Sequence, residues 1–142
     1  MKKFLRDKRG STTVLFGGIL FALLSLTLLI MELGSTYEQY DYAMDVLQRS
    51  CNSAVERNIM DEYRADKVLL LDCGGAEDDF FMFVQQDMPE KYVLTFESVS
   101  CTSSPPSMTA VGKITFPTVF SQYGFSGVTY SFKTRATNYD LD

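Results

Sequence analysis

The chain has 142 residues, 46% hydrophobic and 22% charged, which is room for one modest domain. It contains no histidine, so the commonest general base and the commonest metal ligand are both missing and most hydrolase, metalloenzyme and proton-shuttle readings lose their central residue. The overall charge of −5 is unevenly placed: residues 1–13 carry five basic side chains against Asp7, a net of +4, and leave −9 for the rest, a balance that repels phosphate backbones and argues against nucleic acid as a partner.

The basic leader, Lys2 to Arg9, ends at Gly10, and an apolar run follows almost at once. From Val14 to Met31 there are 18 positions without a charge, of which 12 are Leu, Ile, Phe or Val. At about −0.3 to −0.6 kcal/mol for each such residue near the centre of a bilayer, the run favours insertion by roughly 5 kcal/mol. Its 18 residues rise about 27 Å as a helix, and Gly10 to Thr13 lengthen it toward the thickness of a hydrocarbon core. A cleaved secretory signal has a shorter apolar region and a small-x-small site, whereas Met31-Glu32-Leu33 before Ser35 is a poor one. Basic residues before the span and an acidic chain after it predict a cytoplasmic N-terminus and an exported remainder. Gly17, Gly18, Ala22 and Ser25 are small residues near one another on the span, of the kind that lets helices approach closely.

Beyond the span the helical period continues. Leu33, Tyr37, Tyr40, Met44, Leu47, Cys51, Val55 and Ile59 recur at steps of three or four, while Glu38, Asp41, Asp45, Arg49, Glu56 and Arg57 occupy other faces. No proline occurs before Pro89. These features predict one helix from about Ser11 to Ile59, about 74 Å of it. Tyr37, Tyr40 and Tyr42 suit an interfacial aromatic belt, but Tyr37 and Tyr40 also lie on the stripe, where core packing competes for them. A second helix is expected over Asp61–Leu71, stopped by Gly74-Gly75. A third is expected over Glu77–Met88, ended by Pro89, with Glu77, Asp78 and Asp79 in its first turn, where the helix dipole favours negative charge. That acidic triplet lacks the alternating spacing through which oxygens converge on calcium.

From Tyr92 the period becomes two. Tyr92, Leu94 and Phe96 alternate with Val93, Thr95 and Glu97. Ala110, Gly112, Ile114 and Phe116 form a second apolar row, and Val128, Tyr130, Phe132 and Thr134 a third. Ser103-Ser104-Pro105-Pro106-Ser107 and the segment Phe120–Gly127 supply the connections. Three strands joined in sequence predict an antiparallel meander whose apolar face is covered by the helix stripe.

Three cysteines, Cys51, Cys73 and Cys101, fall on the side expected to be exported, where disulfides persist. Cys51 lies on the helix stripe, a common place for a buried thiol. Cys73 and Cys101 occupy a helix end and a strand end, positions that a bridge can tie together. Spacing alone does not fix the pairing, and a weakly oxidising exterior would leave all three reduced. No C-x-x-C pair, Gly-rich phosphate loop, G-x-S-x-G or Cys/His couple is present, so no enzymatic activity, metal or cofactor is expected.

The junction Lys8-Arg9-Gly10-Ser11 resembles the signal of type IV pilins and pseudopilins, in which a prepilin peptidase cuts after the glycine and leaves the apolar helix on the mature protein. Arg9 to Phe16, then Met31 to Tyr37, then the amphipathic helix with its small residues, together resemble the TadE/TadF/TadG-type pseudopilins of tight adherence (Flp) pili, a similarity covering residues 4 to about 58. It implies processing between Gly10 and Ser11, partnership with other pilins and an assembly platform, and a place in the cell membrane or a surface pilus. Many relatives carry glutamate five residues after the glycine, where this chain has Leu15. In those relatives the glutamate neutralises the N-terminal amine of a neighbouring subunit, so its absence points to a minor or initiating component. The expected organisation is a leader at 1–10, a transmembrane helix at 11–33 and an α+β head at 34–142, with helix to about residue 59, short helices within 61–88 and strands within 91–138. The competing reading is a single-pass surface protein, adhesin-like or sensor-like, whose head binds a partner without entering a filament.

Overall fold

The computed structural model describes residues 8–60 and 69–138. The chain divides into two compact units, one reaching to Ser35 and the other running from Thr36 onward. Its elements are helix α1 (Lys8–Arg57), helix α2 (Cys73–Asp87), strands β1 (Val93–Thr102) and β2 (Ser107–Phe116), a 3-10 turn (Val119–Tyr123) and strand β3 (Val128–Thr137). The fold is α+β, a long helix with an apolar N-terminal half and a three-stranded antiparallel sheet of order β1-β2-β3.

In the first unit α1 runs through Gly17 and Gly18 without a break, although each glycine costs a helix about 1 kcal/mol relative to alanine. Leucine-rich surroundings offset this. The polar side chains of the run turn back onto their own helix: Ser25 Oγ donates to the Phe21 carbonyl and Thr27 Oγ1 to the Leu23 carbonyl, each at 2.9 Å. Both hydroxyls are thereby satisfied without water. The Leu, Ile and Phe side chains of this half are exposed, and the stretch is long and apolar enough to cross a membrane.

In the second unit the buried face of α1 is built from small residues as well as large ones. Thr36, Ala43, Val46, Leu47, Ser50, Cys51, Ala54 and Val55 are buried, with Tyr40 and Met44 packed beside them. Leu47, Cys51 and Val55 take the places expected of the stripe, whereas Leu33 and Tyr37 do not: both are exposed, Tyr37 by 66%. The sheet needs close approach from the helix, so alanine and serine serve where a larger apolar residue would hold the layers apart. Tyr40 meets the sheet edge-on against Phe116, with ring centroids 6.5 Å apart, and tilts against Tyr130 at 5.3 Å.

Residues 61–68 of the expected second helix lie outside the described residues. Its end differs from expectation, since Leu71 bridges Ile59 in a short antiparallel contact, with Met60 N donating to Leu70 O at 2.9 Å and Asp72 N to Asn58 O at 3.0 Å. Gly74-Gly75 is not a helix stop but part of the first turn of α2. Asp72 supplies the cap, its carboxylate accepting from the Gly74 backbone N–H at 3.1 Å. A Cβ at Gly75 would run into the Asn58 side chain just beyond α1, which would have to move aside. Helix α2 therefore begins four residues before Glu77, and the acidic triplet lies in its second turn instead of capping it. Ala76, Phe80 and Val84, spaced by four, bury one face, and Met88 leaves the helix in extended backbone ahead of Pro89.

The three strands arise where the alternation places them, each longer than the bare pattern. Phe96 pairs with Gly112 and Ser98 with Val111, so Glu97 is an extra residue and β1 carries a bulge. The bulge switches parity: Leu94 and Phe96 face inward before it, Val99 and Cys101 after it. Gly112 stands between Phe96 and Phe132 in the register. Any Cβ there would collide with the Thr95 carbonyl oxygen and lie 2.9 Å from Phe132 Cζ, so its absence lets the two rings meet edge-on at 5.7 Å. Phe80, Phe116, Leu47, Leu71, Met108 and Ile114 form the buried centre.

Candidate functional site

Gly10 and Ser11 belong to the first turns of α1, with helical backbone on both sides of the expected processing bond, while residues 1–7 of the leader lie outside the described residues. Leu15, where the resembling proteins carry glutamate, is 65% exposed. Nothing lies within 4 Å of the position a Cβ would take at Gly17 or Gly18. At 100° per residue Gly18, Ala22 and Ser25 fall on one face, and Gly17 lies a quarter-turn round from them. The three are therefore the small-residue strip of the apolar half of α1, and Gly17 borders it.

The head is pinned at its far end by a disulfide between Cys73, the first residue of α2, and Cys101, near the end of β1, with Cα atoms 5.6 Å apart. Beside it Leu71 N donates to Ser103 O at 3.1 Å, a second tie between the approach to α2 and the β1–β2 turn. Cys51 remains a free thiol, fully buried, its Sγ 3.7 Å from the Met108 carbonyl to which it donates. Burial pushes this thiol up to about 11, so at neutral pH it is protonated and unreactive.

Two polar contacts fix the helix on the sheet. Thr134 Oγ1 donates to Gln48 Oε1 at 2.7 Å, and Gln48 Nε2 donates to the Arg135 carbonyl at 2.9 Å. At the C-terminal end of α1, Asn58 Nδ2 donates to Ala54 O at 2.9 Å and to Asp79 Oδ2 at 2.8 Å, while Arg57 pairs with the same carboxylate at 3.5 Å. Asp79 thus binds the end of α1 and not the start of its own helix. Lys113 Nζ lies 2.8 Å from Glu97 Oε1, and that carboxylate holds the ammonium above the usual lysine range. The pair straddles the bulge.

None of these groups makes a catalytic array. Among the described residues no three or more Cys, Asp or Glu side chains converge to hold a metal ion. A shallow polar recess lined by Asn52, Val55, Glu56, Ala136, Thr137 and Asn138 opens between α1 and β3 but contains no nucleophile with a base beside it. The feature that periodicity did not reveal is the β2–β3 connection: Val119, Phe120, Tyr123 and Phe125 all stand exposed on it. Its lack of charge was readable, but the alternation of strands leaves the direction of loop side chains undetermined.

No protein-family model, curated protein or solved structure matches this chain.

Proposed function

We propose that the chain is a membrane-anchored, minor pilin-like structural protein of a type IV pilus of the tight adherence (Flp) kind, or of the machinery that assembles one. One observation carries this reading. A basic leader ending at Gly10 stands directly before an apolar helix, and that same helix continues as the packed helix of a small α+β head. An anchor with no part in assembly needs neither the glycine junction nor the continuity.

In this role the chain works mechanically and not as an enzyme. The leader stays in the cytoplasm, a prepilin peptidase cuts between Gly10 and Ser11, and the head lies outside the membrane. The assembly platform then draws the helix from lipid into a bundle with other pilins, where Gly18, Ala22 and Ser25 permit close packing. Leu15 sets the copy number. No carboxylate occurs between Asp7 and Glu32, so an identical neighbour offers nothing to pair with the new N-terminal ammonium. A buried unpaired charge costs several kcal/mol, which disfavours a filament made of this chain alone.

The stoichiometry of sheared filaments tests the reading. The expected result is low incorporation alongside a pilin that carries the glutamate, raised by Leu15→Glu. Filaments composed of the wild-type chain alone would refute the assignment as a minor subunit.

A further inference from the structure

We propose that the cationic outer face of the sheet in one head docks on the acidic outer face of α1 in the head of a second copy. The contact uses residues from Thr36 onward alone, so it goes beyond the pilin-like reading and stands or falls without it.

Charge is segregated along the head. Residues 34–97 carry 14 carboxylates and five cations, whereas residues 98–138 carry three cations and no carboxylate. Both helices pack on the inward row of the sheet, Phe80 of α2 against Phe96 and Tyr40 of α1 against Phe116. Lys113, Lys133 and Arg135 alternate with that row, so they stand exposed on the side that neither helix covers.

The three cations are neighbours. In the register Lys113 stands opposite Ser131 and Lys133 opposite Val111, which makes the two lysines diagonal partners, and Arg135 follows Lys133 on the same face. Such positions lie about 7 Å apart. Glu97 answers Lys113 at 2.8 Å, and among the described residues no carboxylate pairs with Lys133 or Arg135. Charge on an edge strand also discourages stray pairing with other sheets, but either sign does that. A surface built only to stay soluble mixes the two signs. A single-sign patch on a chain of opposite net charge fits a carboxylate-rich partner surface.

The chain itself supplies such a surface. At 100° per residue Glu38, Asp45 and Glu56 lie within about 20° of the line opposite buried Leu47, with Asp41 beside them. All four are exposed, and Arg49, paired with Asp45 at 3.3 Å, is the one cation in residues 36–56. From Glu38 to Glu56 the helix rises about 27 Å, and strands of ten residues run about 33 Å. The two faces therefore match in length as well as sign, and they look outward on opposite sides of the head. A contact between two different faces is heterologous, so each docked copy leaves one face of each sign free and the array extends instead of closing as a two-fold pair. Three strands make a face about 14 Å wide, roughly 450 Å² a side. That area suits a weak association held by charge and sensitive to salt, not a permanent dimer.

Sedimentation of the full-length protein in non-ionic detergent tests this. More than one copy per micelle is expected at about 10 mM salt, where charges act over about 30 Å, and one copy at about 1 M, where they are screened within about 3 Å. Lys133→Glu/Arg135→Glu and Glu38→Lys/Glu56→Lys are each expected to weaken association at least about tenfold, because each sets like charges against like. An equimolar mixture of the two variants is expected to recover it, since every face then meets its opposite, and recovery also shows that both are folded. A wild type that stays single at low salt would overturn the proposal and leave the sheet face to a different acidic partner. Association indifferent to salt would overturn it too, assigning the contact to the apolar half of α1. So would undiminished association of either variant: in Lys133→Glu/Arg135→Glu it would point to the basic leader as the cationic partner, and in Glu38→Lys/Glu56→Lys to another acidic face. Loss in both variants without recovery on mixing would also defeat it.

Discussion

The Thr134 hydroxyl donates to Gln48 Oε1 at 2.7 Å, joining the one buried polar side chain of β3 to the middle of the head portion of α1. Because Gln48 also reaches the Arg135 carbonyl, the amide fixes both the rotation of the helix and its position along the strand. Thr134→Val keeps the shape, deletes the donor and leaves the half-buried Gln48 oxygen without it. A loss of about 1–2 kcal/mol in unfolding free energy is expected, with Thr134→Ser closer to wild type. Chemical denaturation of the three proteins in detergent measures it.

The disulfide closes a loop of sequence separation 28 between Cys73 and Cys101. The chain-entropy relation gives about 3–4 kcal/mol for a loop of that length. Reduction, or the double substitution Cys73→Ser/Cys101→Ser, is expected to lower stability by about 3 kcal/mol and to free α2 and the β1–β2 turn first. Native hydrogen exchange at Leu71, whose amide bonds to Ser103 O, reads the local effect.

Gly112→Ala tests the aromatic contact across β2. A methyl group there meets the Thr95 carbonyl, which is backbone and cannot swing aside, and then the Phe132 ring. A loss of at least about 2 kcal/mol is expected, the range of overpacked cores. Gly124→Ala meets no atom within 4 Å, but it forces a non-glycine residue to φ 88° and costs roughly 1–2 kcal/mol, confined to the loop.

Buried Cys51 predicts an alkaline weakness. Its folded value of about 11 stands above 9.0, the ordinary value of an unburied thiol, so folding favours the protonated form. The stabilisation this represents is complete below pH 9 and is lost as pH rises from about 9 toward 11, at up to about 1.4 kcal/mol per pH unit. Cys51→Ala removes that slope, so the difference between the two proteins over this window isolates the contribution of the thiol. Iodoacetamide should leave Cys51 unmodified in the native protein and alkylate it after unfolding.

The strands and the long helix were legible because each follows one period over many residues: Ala110, Gly112, Ile114 and Phe116 alternate cleanly, and Leu47, Cys51 and Val55 keep the helical step. What periodicity missed depends on contacts between distant segments. Ala43, Ser50 and Ala54 are buried because α1 sits close to the sheet, a property of the pair and not of either sequence alone. Tyr37 satisfies the stripe but stands at the edge of the head, where no strand covers it. Gly74-Gly75 reads locally as a helix stop, yet a cap from Asp72 and the nearness of Asn58 make the pair a helix start. The bulge at Glu97 leaves the run of residue types undisturbed and shows itself only in the partner register. Of the candidate functional residues, Gly10 and Ser11 were legible as a motif, and the two bridged cysteines as positions that could meet. The aromatic loop was not, since its exposure follows from where β2 and β3 end.

The N-terminal residue of the native protein tests the pilin-like reading most directly. The protein is purified from cells with an active prepilin peptidase and sequenced by Edman degradation, with a Gly10→Ala variant alongside. The expected N-terminus is Ser11 in the wild type, with the leader retained in the variant. A wild-type N-terminus upstream of Gly10 in such cells would contradict the reading and leave the chain a single-pass anchored head.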